Sequence, residues 1–225
     1  MRALLYDVHG NLPALEVVLA DAESAGASSY VLGGDYVVAG GWPRETLERL
    51  RGLEAQWIRG NTERWLTDRS DAFEGMIPAI DACAEALGPE SVQELVALPE
   101  DLVLDGVHFC HAVPGDDMGV LLPEPRDEDE ELTEGAKERR LVFGHTHLQF
   151  ERTAANGVEL VNPGSVGIPC DGDHRAAYAL WHDDGRIELR RVAYDHQASA
   201  DRVREWLGEA GETPARRIEQ ARFDV

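Results

Sequence analysis

The sequence predicts a single α/β domain, and three observations support this prediction. Short apolar runs alternate with amphipathic runs of helical spacing along most of the chain. Two dipeptides in the C-terminal half, Asn156-Gly157 and Asp184-Gly185, are strong hairpin signals between strand-like residues. A chain of 225 residues buries one good core, whereas two domains would be cramped, so we treat residues 1–225 as one domain.

The N-terminal half shows the alternation most clearly. Arg2 to Tyr6 is predicted to be a buried strand, and Asn11 with Pro13 then starts a helix that ends at Gly26. The same reasoning predicts strands at 30–32 and 56–58, a helix at 43–53, and mostly helical structure over 62–98.

The C-terminal half is predicted to be richer in strands. Apolar runs at 102–104, 107–110 and 141–143 precede the two hairpins, and a last helix covers roughly Ser199 to Ala210. The tail after about residue 211 is charged, and we expect it to be poorly ordered.

Composition excludes several classes of function. The net charge of -22, from 21 basic and 43 acidic residues, repels long nucleic acids and acidic membranes. No apolar run approaches the ~20 residues that a membrane span needs. The N-terminus lacks the features of a signal peptide, so we expect a cytoplasmic protein. The three cysteines have no paired spacing, which argues against disulfides and thiolate zinc sites.

Polar residues with metal-ligand chemistry follow the predicted strands. Because ligand sites gather at the carboxyl ends of strands in α/β sheets, side chains far apart in sequence are expected to meet at one rim. His145 and His147 lie two apart on an extended segment, so both rings can point the same way. Carboxylates, an amide and imidazoles without thiolates suit hard-to-borderline metals. The predicted metal site comprises Asp7, His9, Asp35, Asn61, His111, His145 and His147.

Each motif is weak alone, but together they resemble the calcineurin-like metallophosphoesterase superfamily, and within it the small single-domain bacterial and archaeal phosphodiesterases. The resemblance runs from Asp7 to about Tyr178. It implies a two-sheet β-sandwich flanked by helices, in four α/β/β/α layers. The motifs that carry it are Asp7-Val8-His9-Gly10-Asn11, Gly33-Gly34-Asp35, Gly60-Asn61-Thr62-Glu63, Gly144-His145-Thr146-His147 and Asn162-Pro163-Gly164-Ser165-Val166-Gly167.

The resemblance also implies roles for these residues. It assigns Asp7, His9 and His147 to one divalent metal, Asn61, His111 and His145 to a second, and Asp35 to a bridge between them. Manganese is the expected metal, and iron, zinc, cobalt and nickel also fit. Such a pair holds a bridging hydroxide that attacks phosphorus, and the resemblance makes Asp35, Asn61 and His111 the support of that hydroxide and of the phosphate.

Two positions depart from the family pattern. Thr62 stands where many members have a histidine that protonates the leaving group, and a hydroxyl of very high pKa is a poor general acid. Ala39 stands where the protein-phosphatase branch has an arginine after the bridging aspartate, which argues against a protein phosphatase. Arg59, Arg175 and Arg44 are candidates to replace that arginine.

Several other residues have two open interpretations. Tyr36, Trp42 and Trp65 either stack on a nucleobase or serve packing, and packing is favoured. His174 is either a proton donor or an ordinary loop residue, and Asn11 either touches substrate or caps a helix.

We therefore expect a dinuclear metal-dependent phosphodiesterase that acts on a small nucleotide-like substrate, such as a 2′,3′-cyclic nucleotide or a dinucleoside polyphosphate. A phosphomonoesterase and a non-catalytic scaffold of the same fold are the alternatives.

Overall fold

Two five-stranded sheets form the centre of the molecule, in a computed structural model that describes residues 1–224. The first sheet contains β1 (Arg2–Leu5), β2 (Ser29–Leu32), β3 (Ala55–Trp57), β9 (Ala176–Trp181) and β10 (Ile187–Val192). Its order is β10-β9-β1-β2-β3, with β1, β2 and β3 parallel and β9 antiparallel to both of its neighbours.

The second sheet has the same number of strands. It contains β4 (Asp101–Leu104), β5 (Val107–Cys110), β6 (Arg140–Val142), β7 (Phe150–Thr153) and β8 (Glu159–Asn162). Its order is β4-β5-β6-β8-β7, and its central strands β5, β6 and β8 are parallel. The carboxyl ends of three parallel strands in each sheet are therefore available to build a site.

The helices are amphipathic segments that cover the sheets. They are α1 (Leu12–Ser24), α2 (Pro43–Arg51), α3 (Asn61–Trp65), α4 (Ile77–Leu87), α5 (Pro89–Val96), α6 (Asp129–Thr133), α7 (His196–Leu207) and α8 (Glu212–Gln220), with short 3-10 turns at Glu74–Met76 and Gly208–Gly211. Among residues 1–224, no helix has both the length and the apolar character to cross a bilayer.

The core lies in layers. One buried cluster fills the space between the sheets, where Leu4 and Val31 of the first sheet meet Phe109 and Val142 of the second. A larger cluster joins the outer face of the first sheet to the helices, and a third covers the outer face of the second sheet. The predicted α/β sandwich is confirmed, but the fourth layer is thin, because a long loop with the five-residue α6 supplies most of it.

The predicted elements occur with small shifts. Asn11 caps α1, since its side-chain oxygen accepts from the backbone N–H of Ala14. The two predicted hairpins connect β7 to β8 and β9 to β10. The helical region over 62–98 is divided at Gly88, which has a positive φ of 78° that glycine adopts without strain and that ends α4.

The expected disorder after residue 211 is wrong, because residues 212–220 form α8. Ala215 and Ile218 bury the apolar side of this helix. Arg204 of α7 also pairs with Glu212 (2.9 Å) and Glu219 (2.6 Å) of α8. The charged residues that suggested a solvated tail are thus the residues that fasten it to α7.

The ion pair between α7 and α8 predicts a pH-dependent loss of stability. Hydrogen bonds from Arg204 lower the pKa of Glu219 to about 2, so the carboxylate stabilises the fold above its unfolded pKa near 4.5, and this stability is lost as pH falls toward 2. Both side chains are partly exposed, so we expect Glu219→Gln to lower the free energy of unfolding by only about 0.5–1 kcal/mol at pH 7.

Urea unfolding at pH 7 and at pH 3.5 measures this effect. The difference in the free energy of unfolding between wild type and Glu219→Gln should shrink at the lower pH. The control is Glu209→Gln, since Glu209 is an exposed acid without an ion pair among residues 1–224 and its variant should unfold with nearly the wild-type free energy at either pH. A difference that grew on acidification would contradict the prediction.

Candidate metal centre

All seven predicted ligands lie together at one rim of the sandwich. Asp7 and Asp35 follow β1 and β2, Asn61 begins α3 after β3, and both sheets contribute because His111 follows β5 and His145 follows β6. The parallel strands of the two sheets therefore deliver side chains to the same place.

Three of these residues form one group of ligand atoms. The Nε2 atom of His9 lies 3.1 Å from Nε2 of His147, which lies 3.5 Å from Oδ1 of Asp7. All three residues are buried. This is the set that the family resemblance assigned to the first metal.

Three others form a second group. The Oδ1 atom of Asn61 lies 2.9 Å from Nε2 of His111 and 3.0 Å from Nδ1 of His145. These residues correspond to the set assigned to the second metal.

The two aspartates lie between the groups. Asp35 places Oδ2 3.6 Å from Nε2 of His9 and Oδ1 3.5 Å from Nε2 of His111, so its two oxygens face different groups. Asp7 is central as well, because its Oδ1 atom lies 3.9 Å from Nε2 of His111 and its carboxylate joins both clusters of candidate ligands. The geometry suits the predicted bridging role of Asp35 and brings Asp7 close to both groups.

Backbone carbonyls fix the tautomers of three histidines. A carbonyl oxygen only accepts hydrogen bonds, so the ring nitrogen that faces it carries a proton, and in a neutral ring the other nitrogen has a free lone pair. The Nδ1–H donates in each case: His9 to Val38 (2.9 Å), His147 to Ile168 (2.7 Å) and His111 to Gly33 (2.8 Å).

The result is a buried cluster of acceptors that face one another. The lone pairs of His9 and His147 point together across 3.1 Å, and Oδ1 of Asp7 has no hydrogen-bond donor in the described chain. Buried acceptors without donors are costly, whereas a divalent cation satisfies several at once. The residues present therefore fit bound metal ions.

The pKa values of three of the four histidines agree with this arrangement; burial lowers the pKa of the fourth, His111, but the carboxylates of Asp35 and Asp7 outweigh burial and raise it. Burial, reinforced by His9, lowers the pKa of His147 well below its usual value, and burial also lowers the pKa of His9. Burial and the nearby His111 lower the pKa of His145 to about 4. These three rings are neutral at pH 7, which is the state that binds metals.

The backbone is strained where it presents the ligands. Positive φ angles are uncommon outside glycine and cost of order 1 kcal/mol each, and they persist only where the surrounding structure imposes them. Five of the seven candidates have them: Asp7 (54°), His9 (48°), Asp35 (58°), His145 (63°) and His147 (59°).

Two neighbours of Asn61 hold Asp35 in place. Thr62 donates to Oδ1 of Asp35 from both its backbone N–H (3.0 Å) and its hydroxyl (2.9 Å). The buried carboxylate of Glu63 accepts from the backbone N–H groups of Asp35 (2.7 Å), Tyr36 (2.8 Å) and Gly60 (3.0 Å). Sequence reasoning missed the role of Glu63, although an acidic residue three positions into a helix start is a known capping signal.

Most residues with open interpretations turn out to be structural. Tyr36 is fully buried, with its hydroxyl 2.8 Å from the carbonyl of Leu32. His174 stacks on His196 with ring centroids 4.5 Å apart. Trp65 is also buried, but it lines the cleft in front of the metal centre.

The three arginines suggested as phosphate ligands are engaged elsewhere. Arg59 pairs with Glu100 (2.6 Å) and Arg175 pairs with Asp173 (2.6 Å). The Nε–H of Arg44 donates to the carbonyl of Ala86.

The metal centre opens into a cleft with a volume of about 430 Å³. Three of the four large apolar side chains that are exposed among residues 1–224 line this cleft, namely Phe73 (59% exposed), Val120 (40%) and Phe223 (54%). Together with Met76, Met118 and Leu122, these side chains form one apolar side of the cleft, which we call the apolar wall. The cleft thus has a polar floor of metal ligands and a largely apolar side.

Comparison with known proteins identifies the family. A model of the calcineurin-like phosphoesterase superfamily domain matches residues 1–185, and the chain therefore belongs to this superfamily. The family is metal-dependent, which agrees with the acceptor cluster described above.

Individual relatives extend the similarity along the chain. The protein is 30% identical over 240 residues to the uncharacterized protein MJ0912 of Methanocaldococcus jannaschii, covering 93% of this chain and 96% of the relative. It is similar to a metallophosphoesterase from Sphaerobacter thermophilus, with 27% identity, a TM-score of 0.82, and 98% and 99% of the two chains covered. Protein PH1004 of Pyrococcus horikoshii OT3 shares the fold at 23% identity and a TM-score of 0.81, with 94% and 96% covered.

The contacts of Thr62 predict that its hydroxyl supports metal binding. Thr62→Val keeps the shape of the side chain but removes the hydrogen bond to Asp35, and loss of such a supporting contact typically costs 10–100-fold in metal affinity. We expect a weakening of Mn²⁺ binding within roughly this range, measured by isothermal titration calorimetry.

A matched control is Thr46→Val. The hydroxyl of Thr46 is also buried in a helix, but it has no hydrogen-bond partner in the described chain, so its removal leaves Mn²⁺ affinity unchanged. Equal affinities for the two variants would show that the hydroxyl of Thr62 does not support metal binding through Asp35.

Proposed function

We propose that the protein is a dinuclear metal-dependent phosphodiesterase that hydrolyses a small phosphodiester carrying a planar group, with nucleotides as the leading substrate class. Manganese is the metal we propose first, and the seven clustered residues are its proposed ligands. The observation that carries the proposal is the acceptor cluster at the floor of a cleft whose side is apolar.

The candidate ligands at the polar floor of the cleft support a hydrolytic activity. Divalent metals bound there would lower the pKa of water and neutralise charge on a phosphate. Asn61 and His145 face the cleft and, with Asp35, hold the polar floor to which a phosphate would bind. The complete set of acceptors also supports a catalytic protein over a scaffold of the same fold.

Thr62 supports a diester with a good leaving group. Its hydroxyl already donates to Asp35, so it is committed to positioning and does not protonate a leaving oxygen. General acids contribute ~10²–10⁴ in rate, so esters of acidic alcohols and cyclic phosphates lose least from the missing acid.

The apolar wall supports a substrate with a planar group beside the phosphate. Trp65 and Phe73 pack edge to face with ring centroids 5.8 Å apart, and the Phe73 ring remains largely exposed toward the cleft. Exposed aromatic rings beside a polar centre suit a nucleobase, because it has a flat apolar face and polar edges. The net charge of -22 supports a small substrate over a long nucleic acid.

The central test compares two aryl substrates under one metal. With Mn²⁺ added, we expect turnover of bis(p-nitrophenyl) phosphate to exceed that of p-nitrophenyl phosphate, and chelation to abolish both. Asp35→Asn removes the charge between the two ligand groups and should reduce turnover to background, whereas Asp105→Asn, an exposed aspartate paired with Arg2, should retain it.

A faster monoester reaction would instead favour a phosphomonoesterase. Purified protein that bound no divalent metal and had no activity with any of them would favour the scaffold.

The apolar wall of the cleft leads to a separate prediction about substrate binding. Phe73→Ala removes an exposed ring, so we expect KM for a 2′,3′-cyclic nucleotide to rise several-fold, because base–aromatic stacking contributes about 1–3 kcal/mol per base. Steady-state kinetics with this substrate provide the measurement. Val103→Ala removes an exposed apolar side chain outside the cleft and should leave KM unchanged, and equal effects of the two changes would contradict stacking.

A further inference from the structure

The cleft contains one arginine that the family pattern does not supply. Arg217 lies on α8 and lines the cleft together with His9, His147 and Asp35. It is the only lysine or arginine among the described residues that line this cleft. The match to the family model ends at residue 185, so Arg217 lies beyond it.

Arg217 is unusual in having no acidic partner among residues 1–224. In residues 1–224, every arginine except Arg44 and Arg217 has a carboxylate oxygen within 4.0 Å. Acidic residues outnumber basic ones by 43 to 21, so a carboxylate partner is easy to find on this surface. That Arg217 has no carboxylate partner among the described residues therefore points to an anionic ligand from outside them.

The C-terminal segment holds the Arg217 side chain in place. Its Nε–H donates to the backbone carbonyl of Phe223 (3.2 Å), and the Phe223 ring lies against the guanidinium at 3.9 Å from its centroid. These contacts occupy one nitrogen and one face. The two terminal nitrogens make no hydrogen bond within the described chain, and together they form the fork that binds phosphate oxygens.

We propose that Arg217 binds a non-bridging phosphate oxygen of the substrate beside the metal centre. This inference rests on the proposed function, since it concerns how the same cleft holds its phosphoester. None of the three arginine candidates suggested by sequence lines the cleft, so Arg217 is the cation available to it among the described residues. Its charge also offsets the carboxylates of Asp7 and Asp35, which would otherwise repel an anionic substrate.

The test measures phosphate binding directly. Inorganic phosphate is titrated into the Mn²⁺-loaded protein by calorimetry, and we expect Arg217→Gln to weaken binding roughly ten- to a hundredfold, as loss of a charge-assisted hydrogen bond does. Arg217→Lys keeps the charge but loses the fork, so it should recover only part of the affinity.

Arg216→Gln is the matched control. Arg216 is the neighbouring residue on α8, is exposed, pairs with Glu212 and does not line the cleft, so its loss changes the net charge equally without touching the site. We expect its phosphate affinity to equal that of the wild type. Mn²⁺ affinity and melting temperature should not fall in Arg217→Gln, which separates loss of phosphate binding from loss of the metal centre or of the fold.

The outcomes distinguish this inference from the proposed function. Phosphate binding that is equal in wild type, Arg217→Gln and Arg216→Gln overturns the role of Arg217, even if diester turnover is robust. Phosphate binding that depends on Arg217 supports the role, even if no phosphodiester is turned over. Wild-type protein that loads Mn²⁺ but binds no phosphate also overturns it.

Discussion

The structure depends on a single electrostatic constraint: a group of buried acceptor atoms is held at distances at which they repel one another. The facing lone pairs of His9 and His147 and the unpartnered oxygen of Asp7 have no donors in the described chain. Such a cluster is tolerable in a folded protein only if something positive occupies it. Metal ions bound by these residues would therefore also stabilise the fold, because binding energy that relieves repulsion is folding energy as well.

The surrounding architecture keeps the acceptors from moving apart. Positive φ angles at five of the candidate ligands, together with the backbone carbonyls that orient three imidazoles, fix both the chain and the rings. Glu63 stabilises this arrangement because its carboxylate accepts hydrogen bonds from three backbone N–H groups around Asp35. Packing of the two sheets then joins the halves of the site, since neither sheet carries all the ligands.

Sequence patterns predicted the strand–helix order and the gathering of the seven polar residues at strand ends, because both follow from local periodicity and the geometry of parallel sheets. They did not predict that Arg217 lines the cleft, because α8 reaches the cleft only through packing between segments that are far apart in the sequence. They were wrong about the tail for a related reason. A charged segment looks solvated when read alone, and the pairing of Arg204 with Glu219 becomes visible only once α7 and α8 lie side by side.

The apolar wall consists of segments that belong to neither sheet. Phe73 lies between α3 and α4, Val120 lies in the long loop after β5, and Phe223 follows α8. Of these segments only the loop after β5 provides a candidate ligand, His111 at its start. Changes at Phe73, Val120 and Phe223 themselves therefore alter which molecule fits the cleft without replacing a candidate ligand. Substrate recognition and metal binding can thus evolve in largely separate parts of the chain. Proteins that share these candidate ligands can therefore differ in the molecules that they bind.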